Sequence, residues 1–433
     1  MGAIARHAAA LAVAVLAFGP LGPGARAADA PAGSWKLDKD NWQKAEGLVP
    51  EPVLRRIEAG DYTFTVVPTD AKKFRENFTQ AFWAASEANE GKYDIDKETC
   101  GLKLKESGEI PDNVFGQAFP RIDPKDPLAA CKVAWNFYLG NQIGEGQGAS
   151  FTLNGIDRNG EFRRIKMWLH LNPYLGRTVK AKRNPENLRS TQMSHSLEPA
   201  DAEGVNLLTQ SINDWTSHDR IWAYLPQMRR ARRLNAATRS DPLAGLDIFS
   251  DDLNCYAGKP EYYRWKLVGE QKVLAPIVGP YALAQTRTGE TRYEIDIPYL
   301  KGGYETPGNA GAPWQITENL VLVERPAWVM EGESRDPYYN FGKVIMHVDK
   351  EMNRIYWKQV HNRAGEYFYT AMCSYHWSKI EDGSFGAMTP NMVMGVNDKT
   401  DRAALGGRYQ GQFIERDFDP RHFSLRALSR LSD

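Results

Sequence analysis

A long series of short β-type segments most constrains how this 433-residue chain can fold. Between residues 151 and 377, runs rich in β-branched and aromatic residues alternate with turn residues, without intervening helical patterns. Clusters at residues 154–155, 157–160 and 363–366 are turn signals. The spacing predicts a large, strongly curved antiparallel sheet. The predicted strands are Phe151–Leu153, Arg163–Leu171, Ile221–Leu225, Tyr262–Val268, Tyr293–Ile297, Leu320–Glu324, Trp328–Glu333, Lys343–Val348, Ile355–His361 and Tyr367–Trp377.

Two segments before this series have helical periodicity instead. Phe74, Phe78 and Phe82 recur at helical spacing, which predicts an amphipathic helix over residues 70–89. A second helix is expected from Asp126, with a proline at its first position, to Gly140. The fold class is therefore α+β and β-rich, with a large curved antiparallel sheet or half-open β-barrel covering helices.

The first 27 residues have the features of a secretory signal peptide. Arg6 supplies the positive start, Ala8–Phe18 forms a short apolar run, and Ala25-Arg26-Ala27 forms a small-x-small cleavage site. The apolar run is too short to cross a bilayer as a helix, and no later segment is long enough. We therefore expect an exported protein, most simply a periplasmic one.

The remainder, residues 28–433, is expected to form a single domain. It divides into a helical part at about 70–140, a β-rich part at about 145–380 and a C-terminal tail at about 381–433. Within the tail, residues 420–431 resemble a short basic helix, and residues 62–67 near the start alternate like a strand.

Charge and cysteine content limit the possible partners and the compartment. The chain has 54 Lys and Arg against 54 Asp and Glu, which argues against bulk attraction to nucleic acid. Its 4 cysteines favour disulfides in an oxidising compartment. We favour Cys100–Cys131 and Cys255–Cys373, because the first pair closes a short loop around a predicted helix. One pair could instead remain as buried thiols.

Catalytic and metal motifs are mostly missing from the sequence. It has no G-x-S-x-G elbow, H-E-x-x-H zinc helix, Walker A loop or EF-hand loop. Gly144, Gly146 and Gly148 precede a strand pattern, which favours a turn or strand-edge role over a phosphate loop. No metal or cofactor is implied.

Histidines offer the main enzymatic alternative. His347, His361 and His376 lie on three successive predicted strands and would converge only in one register. Buried or exposed structural histidines are the default interpretation. His218 and Asp219 are adjacent, and neighbours on a strand point to opposite faces, so they are poor candidates for a catalytic dyad.

The densest local charge is the run Arg229, Arg230, Arg232 and Arg233. It could be a solvated hairpin, or a docking patch for an acidic partner or anionic lipid headgroups, since guanidinium groups bind carboxylate and phosphate bidentately.

Aromatic residues are numerous, with 12 Trp, 19 Tyr and 17 Phe. A simple core would explain each ring singly. A curved sheet with so many rings could instead line an apolar cavity for a lipid-sized ligand. The candidate lining residues are Trp135, Trp168, Trp222, Tyr224, Trp265, Trp328, Trp357 and Trp377.

Four blocks of sequence resemble those of a known family. They are GQAFPRIDPKDPLAACKVAWNFYLG (116–140), DRIWAYLPQMRRARRL (219–234), LAGLDIFSDDLNCYAGKPEYYRWKLVGEQKVLAP (243–276) and RPAWVMEGESRDPYYNFGKVIMHVDKEMNRI (325–355). Their order is similar to that of the exported Gram-negative family called domain of unknown function 1329, which is related to LolA/LolB-like carriers that sort outer-membrane lipoproteins. The cysteines and residues 91–110 depart from that pattern.

The resemblance implies a half-open β-barrel around helices, an enclosed apolar cavity and a periplasmic location. It also implies that the protein acts together with a resistance-nodulation-division type transporter and an outer-membrane protein. The family supplies no catalytic residues to carry over. The leading hypothesis is a carrier or binding protein for a lipid or other hydrophobic compound. The alternatives are a hydrolase or lyase of hydrophobic substrates, with the three histidines as candidates, and a transporter accessory subunit that binds no ligand.

Overall fold

In the part of the chain that the structure describes, seventeen strands join in one sheet and two more form a small separate sheet. The computed structural model describes residues 31–141, 145–177, 184–214, 216–283, 285–380 and 385–431. The predicted signal peptide, residues 1–27, lies outside the described residues. None of the described helices is long and apolar enough to cross a membrane.

Short helices and strands alternate in the N-terminal part. Their bounds are β1 Trp35–Leu37, α1 Glu51–Glu58, β2 Phe64–Val67, α2 Ala71–Glu76, α3 Gln80–Ala88, β3 Tyr93–Ile95, β4 Leu102–Leu104 and α4 Ala129–Asn141. The small separate sheet is β3 paired with β4.

The helix predicted over residues 70–89 is two helices, α2 and α3. The chain breaks before α3 because the Thr79 hydroxyl caps a new helix by accepting a hydrogen bond from the backbone N–H of Phe82. Phe74 and Phe78 still point inward, with ring centroids 5.1 and 5.9 Å from that of Trp377. The amphipathic prediction therefore holds for the buried face, although not for the continuity of the helix.

Helix α4 begins at Ala129, later than the predicted start at Asp126. Asp126 instead stabilises the preceding turn, where its carboxylate accepts a hydrogen bond from the backbone N–H of Leu128. Within the helix, Asn136 is buried and pairs with the backbone of Phe119 through bonds of 3.0 and 2.7 Å. This pairing holds the preceding loop against the helix.

Long strands make up the rest of the chain. Their bounds are β5 Gly146–Asp157, β6 Gly160–Pro173, β7 Leu188–Glu198, β8 Asn206–Ile212, β9 Arg220–Leu225, β10 Arg230–Leu234, β11 Tyr263–Leu283, β12 Gln285–Arg287, β13 Arg292–Ile295, β14 Leu320–Ser334, β15 Phe341–Asp349, β16 Ile355–Asn362, β17 Tyr367–Lys379, β18 Gly386–Asn397 and β19 Arg402–Glu415, followed by α5 Leu425–Arg430. Short 3₁₀ turns include Leu243–Gly245, Ser250–Cys255 and Pro420–Phe423.

Antiparallel neighbours build most of the sheet in two series. One series runs from β10 through β9, β8, β7 and β6 to β5, and the other runs from β11 through β14, β15, β16, β17 and β18 to β19. Pairing of β19 with β5 joins them. Parallel pairings of β11 with β17 and of β14 with β2 make the sheet mixed. In the described chain β1 and β10 each pair with one strand only, so the sheet stays open, and the β-rich α+β fold class is confirmed.

Three local predictions were wrong. Asn154 and Gly155 lie inside β5, and the chain turns later, between Asp157 and Gly160. Buried Asn154 stays in the strand because its side chain accepts a hydrogen bond from Arg408 at 2.6 Å. The runs at 320–324 and 328–333 are one strand, β14.

The third wrong prediction concerns the segment 381–433, which is not a tail. It supplies β18 and β19, the two strands that connect β17 to β5. The basic helix predicted at its end is present as a 3₁₀ turn followed by α5.

Both favoured disulfides are confirmed. Cys100–Cys131 joins the loop between β3 and β4 to α4, and Cys255–Cys373 joins the turn Ser250–Cys255 to β17, with Cα atoms 5.7 and 5.8 Å apart. Such bridges stabilise a fold by about 2–5 kcal/mol, with more for a longer loop. Two disulfides are typical of an exported protein.

The main core lies on the sheet under β11 and β14–β17. Its largest fully buried side chains include Trp314, Trp357 and Trp377. A second, smaller apolar cluster surrounds the Cys100–Cys131 disulfide and includes Trp135 and Tyr138. The β-rich part and the N-terminal helices therefore share one main core, and the second cluster anchors α4.

Candidate functional site

A cavity of about 90 Å³ lies between the sheet and residues 243–255. We call it the inner cavity, and we call residues 243–255 the cover segment. Strands β5, β6, β7, β18 and β19 provide the remaining walls. The lining residues are Gln147, Gly148, Ala149, Phe151, Leu153, Leu169, Leu171, Gln192, Leu243, Ile248, Phe249, Asp252, Leu253, Asn254, Pro390, Asn391, Met392, Val393, Gly406, Gly407 and Gln412.

Apolar side chains hold the first half of the cover segment in place. Leu246 and Ile248 are buried, and the ring of Phe249 packs edge-on against Phe341 and Tyr369 at 4.9 and 5.1 Å. Such contacts are non-directional, since they depend on removing apolar surface from water. Within the described chain this half is therefore held mainly by burial, together with hydrogen bonds such as those from Asn397 to Asp247 and from the Leu243 N–H to the Ile248 carbonyl.

A buried ion pair holds the second half of the cover segment. Lys358 Nζ lies 2.5 Å from Asp252 Oδ1, and both side chains are fully buried. Asp252 also accepts hydrogen bonds from the Tyr369 hydroxyl at 2.6 Å and from the Phe249 backbone at 2.9 Å. The Cys255–Cys373 disulfide follows immediately. Asp252 therefore lines the inner cavity, but its charge is already paired with that of Lys358.

Two buried carboxamides line the inner cavity, and one of them, Asn391, lacks partners within the described residues. Asn391 is 1% exposed, and neither its Oδ1 nor its Nδ2 makes a hydrogen bond. Gln412 is 3% exposed and lies beside His376, with which its side chain interacts. A buried polar group without a partner costs about 1–3 kcal/mol, so most proteins avoid it.

A β-bulge places Asn391 at the inner cavity. Tyr375 pairs with Pro390 and Ser374 pairs with Met392, which leaves Asn391 as the extra residue of β18. The neighbouring strand β19 is also irregular, because its pairing with β5 shifts after Gly407. Gly407 has φ +101°, and a Cβ there would lie 2.2 Å from the Asn391 carbonyl oxygen. The glycine therefore permits this close approach of the two backbones.

The eight aromatic residues predicted to line a cavity do not converge at the inner cavity. Trp135 packs in the cluster around the Cys100–Cys131 disulfide, and Trp168, Trp222 and Tyr224 pack with α5. Trp265 stacks on Tyr263 at 5.1 Å. None of them is among the lining residues of the inner cavity.

The other three predicted rings lie under β14–β17 or face elsewhere. Trp357 lines a separate void of about 10 Å³, and Trp377 packs against Phe74. Trp328 faces a cleft that it shares with Phe119 and Lys350. Sequence reasoning missed Asn391 and Gln412, although Pro390 inside a strand is a signal for a bulge.

The three candidate histidines are separated by the strand register. His347 on β15 lies opposite Trp357, whereas His361, four residues further along β16, pairs with Lys343. His376 lies four residues beyond Met372, the β17 partner of Trp357. Four residues of strand span about 13 Å, so the three imidazoles do not form a cluster. Burial lowers the pKa of His347 to about 4 and that of His376 to about 3.

Other predicted features occupy ordinary structural positions. Gly146 and Gly148 are residues of β5, as the strand-edge interpretation expected, and Gly144 lies outside the described residues. Asp219 pairs with Lys259 at 3.2 Å, while the ring of His218 stacks on Tyr262 at 5.8 Å. Among the described residues, no group of three or more His, Cys, Asp or Glu side chains could hold a metal ion.

The basic run forms the turn and second strand of the β9–β10 hairpin. Arg229 ends the turn in the left-handed conformation, and the other three arginines lie on the edge strand β10 opposite β9. All four are exposed, and within the described chain none of them forms an ion pair. The hairpin is therefore a concentrated positive surface at an open edge of the sheet.

A second depression is larger but differs in character. An open groove of about 830 Å³ lies beside β1 and β2 and is lined partly by exposed Lys36, Lys39 and Asp40. An apolar molecule would remain in contact with water there. The inner cavity is the better candidate for a hydrophobic ligand.

The fold and the inner cavity define a β-rich protein with one large open sheet and a covered, mainly apolar site. The chain belongs to the DUF1329 family, a protein family of unknown function, whose model matches residues 36–400. A search of curated proteins found no match.

Solved structures with similarity to the chain have low sequence identity. A putative outer membrane lipoprotein-sorting protein domain from Vibrio parahaemolyticus is 14% identical, with a TM-score of 0.47 over 69% of this chain and 97% of that one. A DUF1329 family protein from Desulfovibrio piger is 10% identical, with a TM-score of 0.46 over 69% and 98%. A LolA superfamily protein from Nitrosomonas europaea is 12% identical, with a TM-score of 0.39 over the same shares. These scores are too low to argue function from.

Proposed function

We propose that this protein is a periplasmic carrier or binding protein for a lipid or other hydrophobic compound. The observation that carries the proposal is the inner cavity, which has an apolar lining formed by Phe151, Leu153 and Leu169 of the sheet and by Ile248 and Phe249 of the cover segment. Each CH₂ group moved from water into such a site gains about 0.8 kcal/mol. A covered apolar site therefore supplies what transport of an acyl chain through water requires.

The size of the inner cavity sets a condition on this proposal. Its volume of about 90 Å³ is below the ~300–1,000 Å³ of typical small-molecule sites. A lipid would fit only if the cover segment moves outward. The first half of the cover segment, held mainly by apolar contacts, is the part that could yield, since a bound apolar ligand would replace those contacts.

Native mass spectrometry and solvent extraction of the exported protein test this function. We expect a hydrophobic compound to co-purify with the wild type. Ala149→Leu, which adds bulk inside the inner cavity, should reduce its occupancy at least tenfold. The matched control Ala371→Leu adds the same atoms at a buried site away from the inner cavity and should leave occupancy unchanged in the folded fraction. A wild type that neither retains nor takes up any hydrophobic compound would refute the carrier.

We further propose that the basic hairpin docks a membrane transport component, such as a resistance-nodulation-division type transporter or an outer-membrane protein. The exposed, unpaired Arg229, Arg230, Arg232 and Arg233 support an acidic surface as the partner. Replacing all four with Glu should abolish co-purification of the partner from membranes and change the melting temperature by less than about 2 °C. A control with the same charge change elsewhere replaces exposed Lys72, Lys92, Lys97 and Lys105. Equal partner recovery with both variants would refute the docking role.

A further inference from the structure

We infer that the ligand of the inner cavity carries a neutral group that both donates and accepts hydrogen bonds, a hydroxyl or a carboxamide, and that Asn391 binds this group. The inference rests on the proposed function and deepens it, because it specifies the chemistry of one end of the hydrophobic compound. It concerns the site at the β18 bulge, where the apolar lining ends.

Hydrogen-bonding capacity is the first support. A carboxamide offers two donors and an acceptor with two lone pairs, and all those of Asn391 are unused within the described residues at 1% exposure. Because both the oxygen and the nitrogen are unpartnered, the conclusion is the same whichever way the amide is oriented. Gln412, which also lines the inner cavity, interacts with His376 and is not needed as a partner of the ligand. The complementary ligand group must therefore accept as well as donate.

Local backbone geometry is the second support. Four consecutive residues of β18, Pro390 to Val393, line the inner cavity, whereas a regular strand presents only alternate residues to one side. The bulge produces this arrangement, and bulges commonly redirect side chains at functional sites. Its neighbour Gly407 removes the Cβ that would collide with the bulge. Both irregular strands thus serve to present Asn391.

The charge of the lining excludes an ionised head group. Among the described residues that line the inner cavity, Asp252 alone is ionisable, and Lys358 at 2.5 Å already neutralises it. A carboxylate or phosphate would meet no free cation, and an ammonium would meet no free anion. Burying an unpaired charge costs several kcal/mol, so a neutral polar end is favoured.

The volume is consistent with a binding site for one end of a ligand. About 90 Å³ holds roughly three water molecules, and water is the main competitor for these carboxamides. A hydroxyl or carboxamide with its first carbons occupies a comparable space. The rest of the ligand would lie along the apolar lining once the cover segment moves.

Four ten-carbon probes test the inference by titration calorimetry: decan-1-ol, decanamide, decanoate and 1-chlorodecane. With the wild type we expect the alcohol and the amide to bind at least tenfold more tightly than 1-chlorodecane and decanoate. Asn391→Leu should remove the tenfold advantage of decan-1-ol over 1-chlorodecane. The control Thr389→Val changes a buried, unpartnered hydroxyl two residues away that does not line the inner cavity, and it should preserve the advantage.

The outcomes separate the two proposals. Binding of all four probes with equal affinity to the wild type overturns the role of Asn391 and leaves the carrier function intact. Tightest binding of decanoate overturns the neutral-group inference. If no probe binds and only water occupies the site, the carrier function itself fails. The wild-type preference decides the chemistry of the ligand group even if Asn391→Leu does not fold, and in that case Asn391→Ala tests the residue.

Discussion

The core packs differently on the two sides of the β17–β18 pairing. On the packed side, under β14–β17, Trp357 donates its N–H to the Leu274 carbonyl at 2.9 Å, and the Tyr375 hydroxyl donates to the Ile355 carbonyl at 2.8 Å. On the cavity side, between β5–β7, β18–β19 and the cover segment, Asn391 is as deeply buried and has no partner in the described chain. Large rings fill the space on the packed side, although the Trp377 Nε1 also lacks a partner among the described residues, whereas space remains open beside Asn391 on the cavity side. The difference suggests that one side stabilises the fold and the other is kept available.

The largest expected effect comes from the link between the two sides. The Cys255–Cys373 disulfide closes 118 residues and ties the cover segment to β17, so the double change to Ala should lower the free energy of unfolding by roughly 5 kcal/mol. The Cys100–Cys131 disulfide closes only 31 residues, and its removal should lower the free energy of unfolding by roughly 4 kcal/mol. Chemical denaturation measures both. In addition, loss of Cys255–Cys373 should increase binding of a hydrophobic dye, whereas loss of Cys100–Cys131 should not. Equal dye binding by the two variants would contradict the role of Cys255–Cys373 in holding the cover segment.

Truncation should separate the packed side from the cavity side. Trp357→Ala removes a fully buried ring and should lower the free energy of unfolding by about 3–5 kcal/mol. Leu169→Ala removes a half-buried wall of an existing void and should cost about 1 kcal/mol. The two values come from urea unfolding. Similar losses would show that the inner cavity is as tightly packed as the core.

Enlarging an alanine should also cost more stability on the packed side than on the cavity side. Ala371→Leu forces extra atoms into the packed side and should cost about 1–3 kcal/mol. Ala149→Leu has free space in front of it and should change stability by less than about 1 kcal/mol. Thermal unfolding compares them directly. If Ala149→Leu is the more destabilising variant, the void is not accessible to a side chain on β5.

The last comparison concerns pH on the outer face of the cavity side. Burial, aided by His422 and Arg292, lowers the pKa of His170 on β6 to about 3. The unfolded chain takes up this proton near pH 6.5, so the stabilisation is complete above that pH and is lost as pH falls toward 3. His170→Phe should therefore reduce the pH dependence of the unfolding free energy by up to about 1.4 kcal/mol per pH unit between pH 6 and 4. Parallel curves for wild type and variant would refute the assignment.

Sequence patterns predicted the strands best where they alternate or are strongly apolar. Runs at 163–171, 343–348 and 355–361 correspond to β6, β15 and β16. Strand β7, with its Ser, Thr, Gln and His residues, lacks an apolar signal, and β18 and β19 are interrupted by Pro390, Gly406 and Gly407. Such residues weaken a strand pattern because glycine and proline normally end strands. These strands were therefore missed.

The continuity of β14 was missed for a different reason. Pro326 normally argues against a central strand because it lacks an N–H donor. In this sheet it falls between the end of the β2 pairing at Val323 and the start of the β15 pairing at Ala327. No neighbour needs its donor at that point. A single sequence contains no information about where neighbouring strands end.

The aromatic residues were a better guide to the core than to the site. Trp357 and Trp377 lie on the packed side, and their burial is expected for large aromatic side chains. The inner cavity depends on the relative placement of β5, β18 and the cover segment, which are far apart in sequence. Long-range pairing of this kind is not encoded in local periodicity. Only the glycines and the proline beside Asn391 gave a local indication.

The fastening of the cover segment determines how a ligand can enter. The C-terminal end of the segment is fixed to the sheet by the Cys255–Cys373 disulfide and the Lys358–Asp252 ion pair. Near its N-terminal end, residues 244 and 245 are exposed. The chain just before the segment is also anchored, because buried Ser240 accepts a hydrogen bond from the Asn340 backbone N–H at 2.9 Å, so we expect any outward movement that admits a ligand to occur between these two anchors. Thiol reductants would release the C-terminal anchor, so we expect the retention of a ligand to depend on the redox state of Cys255 and Cys373.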